Sequence, residues 1–359
     1  MSSAAAENLD LKRILLKLYM NRNFLLSLLV IMIACNSNKE NNKQEMKYKS
    51  IGTIERLDPA LDNIISANAK PEIIAEGFEW SEGPLWVEQH NMFLFSDVPM
   101  NTIYKWTEAK GKEVYLKPSG YTGAEPSVCK EPGSNGLTFD KNGNLVLCQH
   151  GDRRMARMDA PLDKPEAKFI TIADNYKGKR FSSPNDAVYN SAGELFFTDP
   201  PYGLQTQDDS DTKKEISFNG VYKVKTNGEV ILLVDSITRP NGIALTPDEK
   251  KLIVACSDGA HPNWYVFDIN GDSLTNGRIF YSAAEEATTM TGVPDGFKLD
   301  KKGNVYATGP GGVYIFNSDG KKLGLIRLDN PTSNCALSPD EKTLYITNDM
   351  YVLRVKLRD

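Results

Sequence analysis

Six stretches of the chain place an oxygen-bearing side chain at the same point of one short phrase. They are Ser81-Glu82-Gly83-Pro84, Ser134-Asn135-Gly136, Pro184-Asn185-Asp186, Pro240-Asn241-Gly242, Pro294-Asp295-Gly296 and Ser333-Asn334. The polar residues Glu82, Asn135, Asn185, Asn241, Asp295 and Asn334 recur roughly every 50 residues, with the last interval shorter. Because that last copy is short, its polar position is open by one residue. Two carboxylates and four amides brought to one point are all hard oxygen donors, with no thiol and no imidazole. Such a set suits Ca2+, Mg2+ or Mn2+ better than a soft metal. The competing reading is local. Asn-Gly and Asp-Gly are also the commonest hairpin turns, which would make Asn135-Gly136, Asn241-Gly242 and Asp295-Gly296 turn residues and nothing more. Against it, each copy carries a second turn signal about eight residues on, and Pro precedes three of the six polar positions.

Those second signals are His90-Asn91, Asn142-Gly143, Ala192-Gly193, Asp248-Glu249, Lys302-Gly303 and Asp340-Glu341. Short β-type runs follow each, such as Leu195-Phe196-Phe197 and Leu252-Ile253-Val254, and four of these runs close on Asp97, Asp199, Asp258 or Asp349. Each copy therefore opens as strand, tight turn, strand, and most copies carry further strand-like runs. Four short strands in about 50 residues is one propeller blade. The spacing predicts an all-β fold, a six-bladed β-propeller over residues 71–359. The first strand of each blade would line the central channel, so the six polar residues would form a ring at one mouth, with a metal site in the channel. Residues 118–132 and the polar stretch 205–214 read as insertions near the rim, with Tyr121 placed to cover the mouth.

Composition removes other classes. The 359 residues carry 42 Lys+Arg against 47 Asp+Glu, a net charge of −5, so no basic stripe is available for phosphates and nucleic acid is excluded as a partner. Hydrophobic residues at 40% and charged residues at 25% are ordinary for a globular chain, which the strand pattern then specifies further. No Gly-x-Ser-x-Gly occurs, which argues against a serine hydrolase. The apolar run at residues 24–34 is too short to span a bilayer. With Arg22 before it and Met32-Ile33-Ala34-Cys35 at its end, it reads as a signal peptide with a lipobox over residues 1–35, Met20 being an alternative start. Residues 36–70 then serve as a polar tether and N-terminal segment. Membrane contact is expected only through this lipid anchor, on a bacterial cell-envelope lipoprotein. Mass spectrometry of native protein should find a mature N-terminus at lipidated Cys35; an intact chain from Met1 or Met20 in the cytoplasm would refute export. The other cysteines, Cys129, Cys148, Cys256 and Cys335, have no metal-type spacing and read as mostly free, buried thiols.

The phrases together resemble one family. Ser81-Glu82-Gly83-Pro84, Ser182-Ser183-Pro184-Asn185-Asp186, Thr198-Asp199-Pro200-Pro201-Tyr202-Gly203, Arg239-Pro240-Asn241-Gly242 and Pro294-Asp295-Gly296 stand in order at blade spacing. In this the chain resembles the gluconolactonase / regucalcin (senescence marker protein) / luciferin-regenerating family from about residue 70 onward. Cys148-Gln149-His150-Gly151-Asp152-Arg153-Arg154 resembles its bacterial gluconolactonase branch.

The resemblance implies one divalent ion, Ca2+ first, then Mg2+, Mn2+ or Zn2+, and a small-molecule sugar lactone as substrate. It implies Glu82, Asn241 and Asp295 as direct ligands, Asn185 as a residue contacting the ion or its bound water and substrate, and Asp295 also as general base. Asn135 and His150 are candidate substrate contacts, His150 reading equally as a structural histidine bonded to Asp152 or backbone. The animal branch has a substrate-binding Arg two residues before the Asn185 position; here that position is Ser183. The alternatives to a lactonase are an aryl-ester or phosphotriester hydrolase on the same metal site, and a surface-anchored binding propeller without turnover.

Overall fold

The computed structural model describes residues 48–358. The signal peptide and lipobox read in residues 1–35 lie outside the described residues, as does the first part of the tether. The described residues form strands, turns and three short 3-10 helices, with no α-helix among them.

Six antiparallel sheets follow one another as blades. Blade one is Ser81–Val87, Met92–Asp97, Thr102–Thr107 and Gly111–Leu116. Blade two begins at Ser134–Phe139, blade three at Ala187–Tyr189, blade four at Pro240–Leu245, blade five at Phe297–Leu299 and blade six at Asn334–Leu337, each innermost in its sheet. The all-β, six-bladed architecture expected from the repeat is therefore present. The hairpin joining the first two strands of every blade sits where the second turn signal lies. Asn91, Gly143, Gly193, Glu249, Gly303 and Glu341 have φ of 46°, 79°, 83°, 55°, 82° and 56°. This left-handed conformation is what a tight turn demands of one residue, and Gly and Asn adopt it most readily.

That result decides between the two readings of the Asn-Gly and Asp-Gly pairs. Gly136, Gly242 and Gly296 do not have positive φ and lie on or beside inner strands, so these dipeptides are not hairpin turns. Glycine is needed for close approach between blades. A Cβ on Gly136 would lie 2.7 Å from the carbonyl oxygen of Asn185, and one on Gly242 would lie 2.3 Å from that of Asp295. The inner strands converge on the channel, and only a residue without a side chain lets them pass.

Residues 48–70, ahead of the repeats in sequence, are laid onto the propeller. Thr53–Arg56 adds a fifth strand to blade five along Lys322–Arg327. Just beyond, Glu72–Glu76 pairs with Tyr351–Lys356 and supplies the fourth strand of blade six. The short last copy is thus completed by chain from the other end, which ties the ring shut. The blades pack through side chains on their faces. Phe93, Phe95, Trp86 and Tyr345 stack between blades one and six, and Trp264, Tyr314 and Phe316 cluster between blades four and five. Among the described cysteines, Cys129, Cys148, Cys256 and Cys335 are free, and all but Cys129 are buried.

Candidate functional site

The ring is built by a hydrogen-bond pattern repeated from blade to blade. The amides of Asn185, Asp295 and Ser333 donate to the carbonyls of Thr198, Thr308 and Thr347 on the second strand of their own blades. Hydroxyls of the neighbouring blades fix the ring carbonyls: Ser96 Oγ donates to Asn135 O, Thr198 Oγ1 to Asn241 O, and Thr308 Oγ1 to Ser333 O. By this pattern the sixth ring position is Ser333. Asn334, the residue read from sequence, stands one place further along. The repeat phrase had left that position open by one residue, and only contacts between blades distinguish the two.

Side chains from five blades then meet. Glu82, Asn135, Asn185, Asn241 and Asp295 all line one cavity of about 290 Å3 at the channel, with Glu131, Tyr202, Trp80, Ser257 and Val293. The five ring side chains are all more than nine-tenths buried. Three of their oxygens, Asn135 Oδ1, Asn185 Oδ1 and Asp295 Oδ1, have no hydrogen-bond partner. Glu82 is held differently. Gly83 takes a left-handed φ of 54° and its N–H donates to Glu82 Oε2 at 2.6 Å, while Asn334 Nδ2 donates to the same oxygen at 3.3 Å.

Behind the ring lies a second layer that sequence reasoning missed. Lys298 Nζ stands 3.7 Å from Asp186 Oδ2 and 3.5 Å from Asn334 Oδ1. Lys298 is thus engaged by Asp186 and Asn334. Burial raises Asp295 well above the usual carboxylate range, and the charges of Glu82, Asp186 and Glu131 push the same way. Burial likewise raises Glu82, opposed by the Gly83 N–H and reinforced by Asp186.

Buried oxygens without partners are costly unless something satisfies them. A divalent cation fits this set: two carboxylates and amide oxygens, all hard donors, in a cavity with no Lys or Arg among its lining residues. Among the described residues no three His, Cys, Asp or Glu side chains gather at one point. The channel departs from that pattern because most of its donors are Asn amides.

The chain entering each of two ring positions is clamped from below. Asp97 accepts from the amides of Glu79 and Trp80, ahead of Glu82, and Asp199 accepts from those of Ser182 and Ser183, ahead of Asn185. Burial raises Asp199 to about 6 despite those donors. Ser183 is fully buried and faces the Pro200–Gly203 loop, its hydroxyl donating to Pro200 O at 2.6 Å and accepting from Gly203 N. It does not line the cavity, and the position where the animal branch carries its Arg offers no contact here.

His150 is also placed outside the cavity wall. It is fully buried, and burial lowers it to about 3, so it is neutral at ordinary pH. Its Nδ1 lies 3.8 Å from Glu131 Oε2, and it is Glu131 that faces the cavity. Tyr121 is likewise absent from the cavity lining; Tyr202 and Glu131 take that place. Glu131 ends the 118–132 insertion, and Gln207 from the 205–214 stretch donates to its Oε1 at 3.0 Å and to Tyr202 O at 3.2 Å. The two insertions therefore meet at the mouth. Their chemistry was hidden because neither repeats.

Comparison with known proteins adds to this geometry. The family model described as "SMP-30/Gluconolactonase/LRE-like region" matches residues 80–349. The chain is 40% identical to a gluconolactonase of Zymomonas mobilis over 324 residues, covering 88% of this chain and 89% of that protein. It is 23% identical to a pentonolactonase of Haloferax volcanii over 272 residues, covering 74% and 80%. Among solved structures, a gluconolactonase from Xanthomonas campestris superposes with a TM-score of 0.73 at 27% identity, covering 87% of this chain and 96% of that one.

Proposed function

The chain belongs to the SMP-30/Gluconolactonase/LRE-like family, and from that premise we propose that it is a divalent-metal-dependent lactone hydrolase that opens a gluconolactone-type sugar lactone to the aldonic acid. The observation that carries the reading is the set of unpartnered oxygens of Asn135, Asn185 and Asp295 facing one buried cavity together with Glu82.

Glu82, Asn185, Asn241 and Asp295 would hold the ion. When bound, it supplies Lewis-acid polarisation of the lactone carbonyl and acidifies a water. The protein's own groups supply the rest. Asp295, whose Oδ1 has no hydrogen-bond partner in the protein, takes the proton of the attacking water. Asn135 and Asn185 present amides to the developing oxyanion and the sugar hydroxyls. Glu82 stays fixed by its two donors and keeps the ring's charge in place. Trp80, Tyr202 and Val293 wall the cavity, which at about 290 Å3 lies at the small end of ligand pockets and suits one sugar ring.

The test is a side-by-side assay of five- and six-membered aldonolactones, an aryl ester and paraoxon. Saturable hydrolysis of the aldonolactones with kcat/KM well above that for paraoxon is expected. Faster turnover of paraoxon would replace the reading with a phosphotriesterase, and no turnover of any substrate with cation present would leave a binding propeller.

A further inference from the structure

Opening a lactone involves two proton transfers, and a second carboxyl beside Asp295 would let each be served by its own group. Water loses a proton as it adds to the carbonyl, and the ring oxygen must gain one as it leaves. An expelled alkoxide is strongly basic, so a positioned acid speeds its departure. Resting on the lactonase reading above, we propose that Glu131 is the general acid that protonates the leaving ring oxygen, working opposite Asp295 in the same cavity.

Geometry singles it out. Three carboxyl groups line the cavity, Glu82, Asp295 and Glu131, and the first two belong to the ring. Glu131 reaches the cavity from a different element, the insertion between blades one and two, and so sits beside the ring residues instead of among them. Gln207 fixes its Oε1, which leaves Oε2 to carry a proton. The side chain keeps about 24% of its surface exposed, so it can exchange that proton with solvent between turnovers.

The groups around it favour the protonated form. His150, 3.8 Å from Oε2, is neutral and offers no cation. Asp295 lines the same cavity, and the charge of Glu131 is among those that raise it. Only Lys130, next in the chain, and the Gln207 amide draw the other way. Burial outweighs both and raises Glu131 to about 7. Two carboxyl groups with distinct environments are then available for opposite jobs.

The step balances. A bond forms between the water oxygen and the carbonyl carbon while the water proton passes to Asp295. The bond from carbonyl carbon to ring oxygen breaks, and that oxygen takes the proton from Glu131. Asp295 returns its proton to solvent and Glu131 regains one, so the net change is lactone plus water to hydroxy acid. Because the active form of Glu131 is protonated, its contribution is lost as pH rises through the pKa of that carboxyl, which burial raises.

Glu131→Gln keeps the Oε1 acceptor for Gln207 and removes the proton. For an alkyl aldonolactone its kcat should fall about 10²-fold, the scale of a general-acid contribution. The loss of kcat at alkaline pH expected of wild type should disappear with it. For dihydrocoumarin, whose phenolic leaving group needs little help, the fall should be under about 10-fold. Gln207→Leu, which takes a donor from the carboxylate, should move the alkaline limb upward with kcat at low pH changed little; this readout serves even if Glu131→Gln folds poorly. Equal losses on both substrates, or a change confined to KM, would overturn the acid role and leave Glu131 as a hydroxyl-binding group. An unmoved alkaline limb in Gln207→Leu would also overturn it. Wild-type protein inactive on every lactone would instead remove the lactonase reading itself.

Discussion

Asp295→Asn, assayed at saturating divalent cation, is expected to turn over an aldonolactone about 10²-fold or more slower than wild type. The substitution keeps the side chain's size and one oxygen donor and removes its charge and basicity. Glu82→Gln is expected to behave differently. It should weaken cation affinity and regain much of its activity when cation is in excess. The contrast follows from how each carboxylate is held. Glu82 Oε2 receives N–H bonds from Gly83 and Asn334, so it is committed and immobile. Asp295 Oδ1 is buried and receives none, so no protein group holds that oxygen in place. If saturating cation restores both variants equally, Asp295 is a ligand and no more, and the base lies elsewhere. His150 does not line the cavity, so that search would begin with Glu131.

Chelation should abolish turnover and lower the melting temperature, and Ca2+, Mg2+, Mn2+ or Zn2+ should restore both to differing degrees. A cation bound only by the folded state stabilises it by about 2.7 kcal/mol at one hundred times its dissociation constant. Its stabilisation should also depend on pH. Glu82 and Asp295 are both raised in the folded protein, so without cation the fold binds protons more tightly than the unfolded chain. Stability without cation should therefore fall as pH rises above the ordinary carboxylate range. A cation binds the ionised forms and releases those protons, so the gap between melting curves with Ca2+ and with chelator should widen with pH. Thermal melts at pH 5 and pH 8, with EDTA and with each metal, give the measurement. Curves that ignore both chelator and every cation would sink the metal reading and take the proposed role of Asn241 and Asn185 with it.

The repeat was legible because two local demands recur in every blade. The hairpin needs a residue with positive φ, and six such residues appear from Asn91 to Glu341 where the pattern places them. The inner strand needs a polar residue followed by one small enough to let blades converge, and Glu82, Asn135, Asn241 and Asp295 stand before glycines for that reason. Both demands act within a few residues, so they leave a periodic trace. Blade number, the direction of the strands and five of the six ring residues follow from it.

What lacks a period could not be read this way. Ser333 and Asn334 both suit the phrase, and hydrogen bonds from Thr308 and to Thr347 choose between them. The pairing of Glu72–Glu76 with Tyr351–Lys356 joins the two ends of the chain through backbone bonds that any strand could make. His150 looked available because a histidine near a motif invites a role; its complete burial follows from packing beneath Gly203 and Ser183, distant in sequence. Glu131 and Gln207 meet across 76 residues because two insertions fold over the same mouth. Thus the sequence alone determined which residues could surround a cation, since that chemistry repeats with each blade. Tertiary structure alone decided what else enters the cavity and in which protonation state. Burial and proximity set those, and both are properties of the closed ring, not of any one blade.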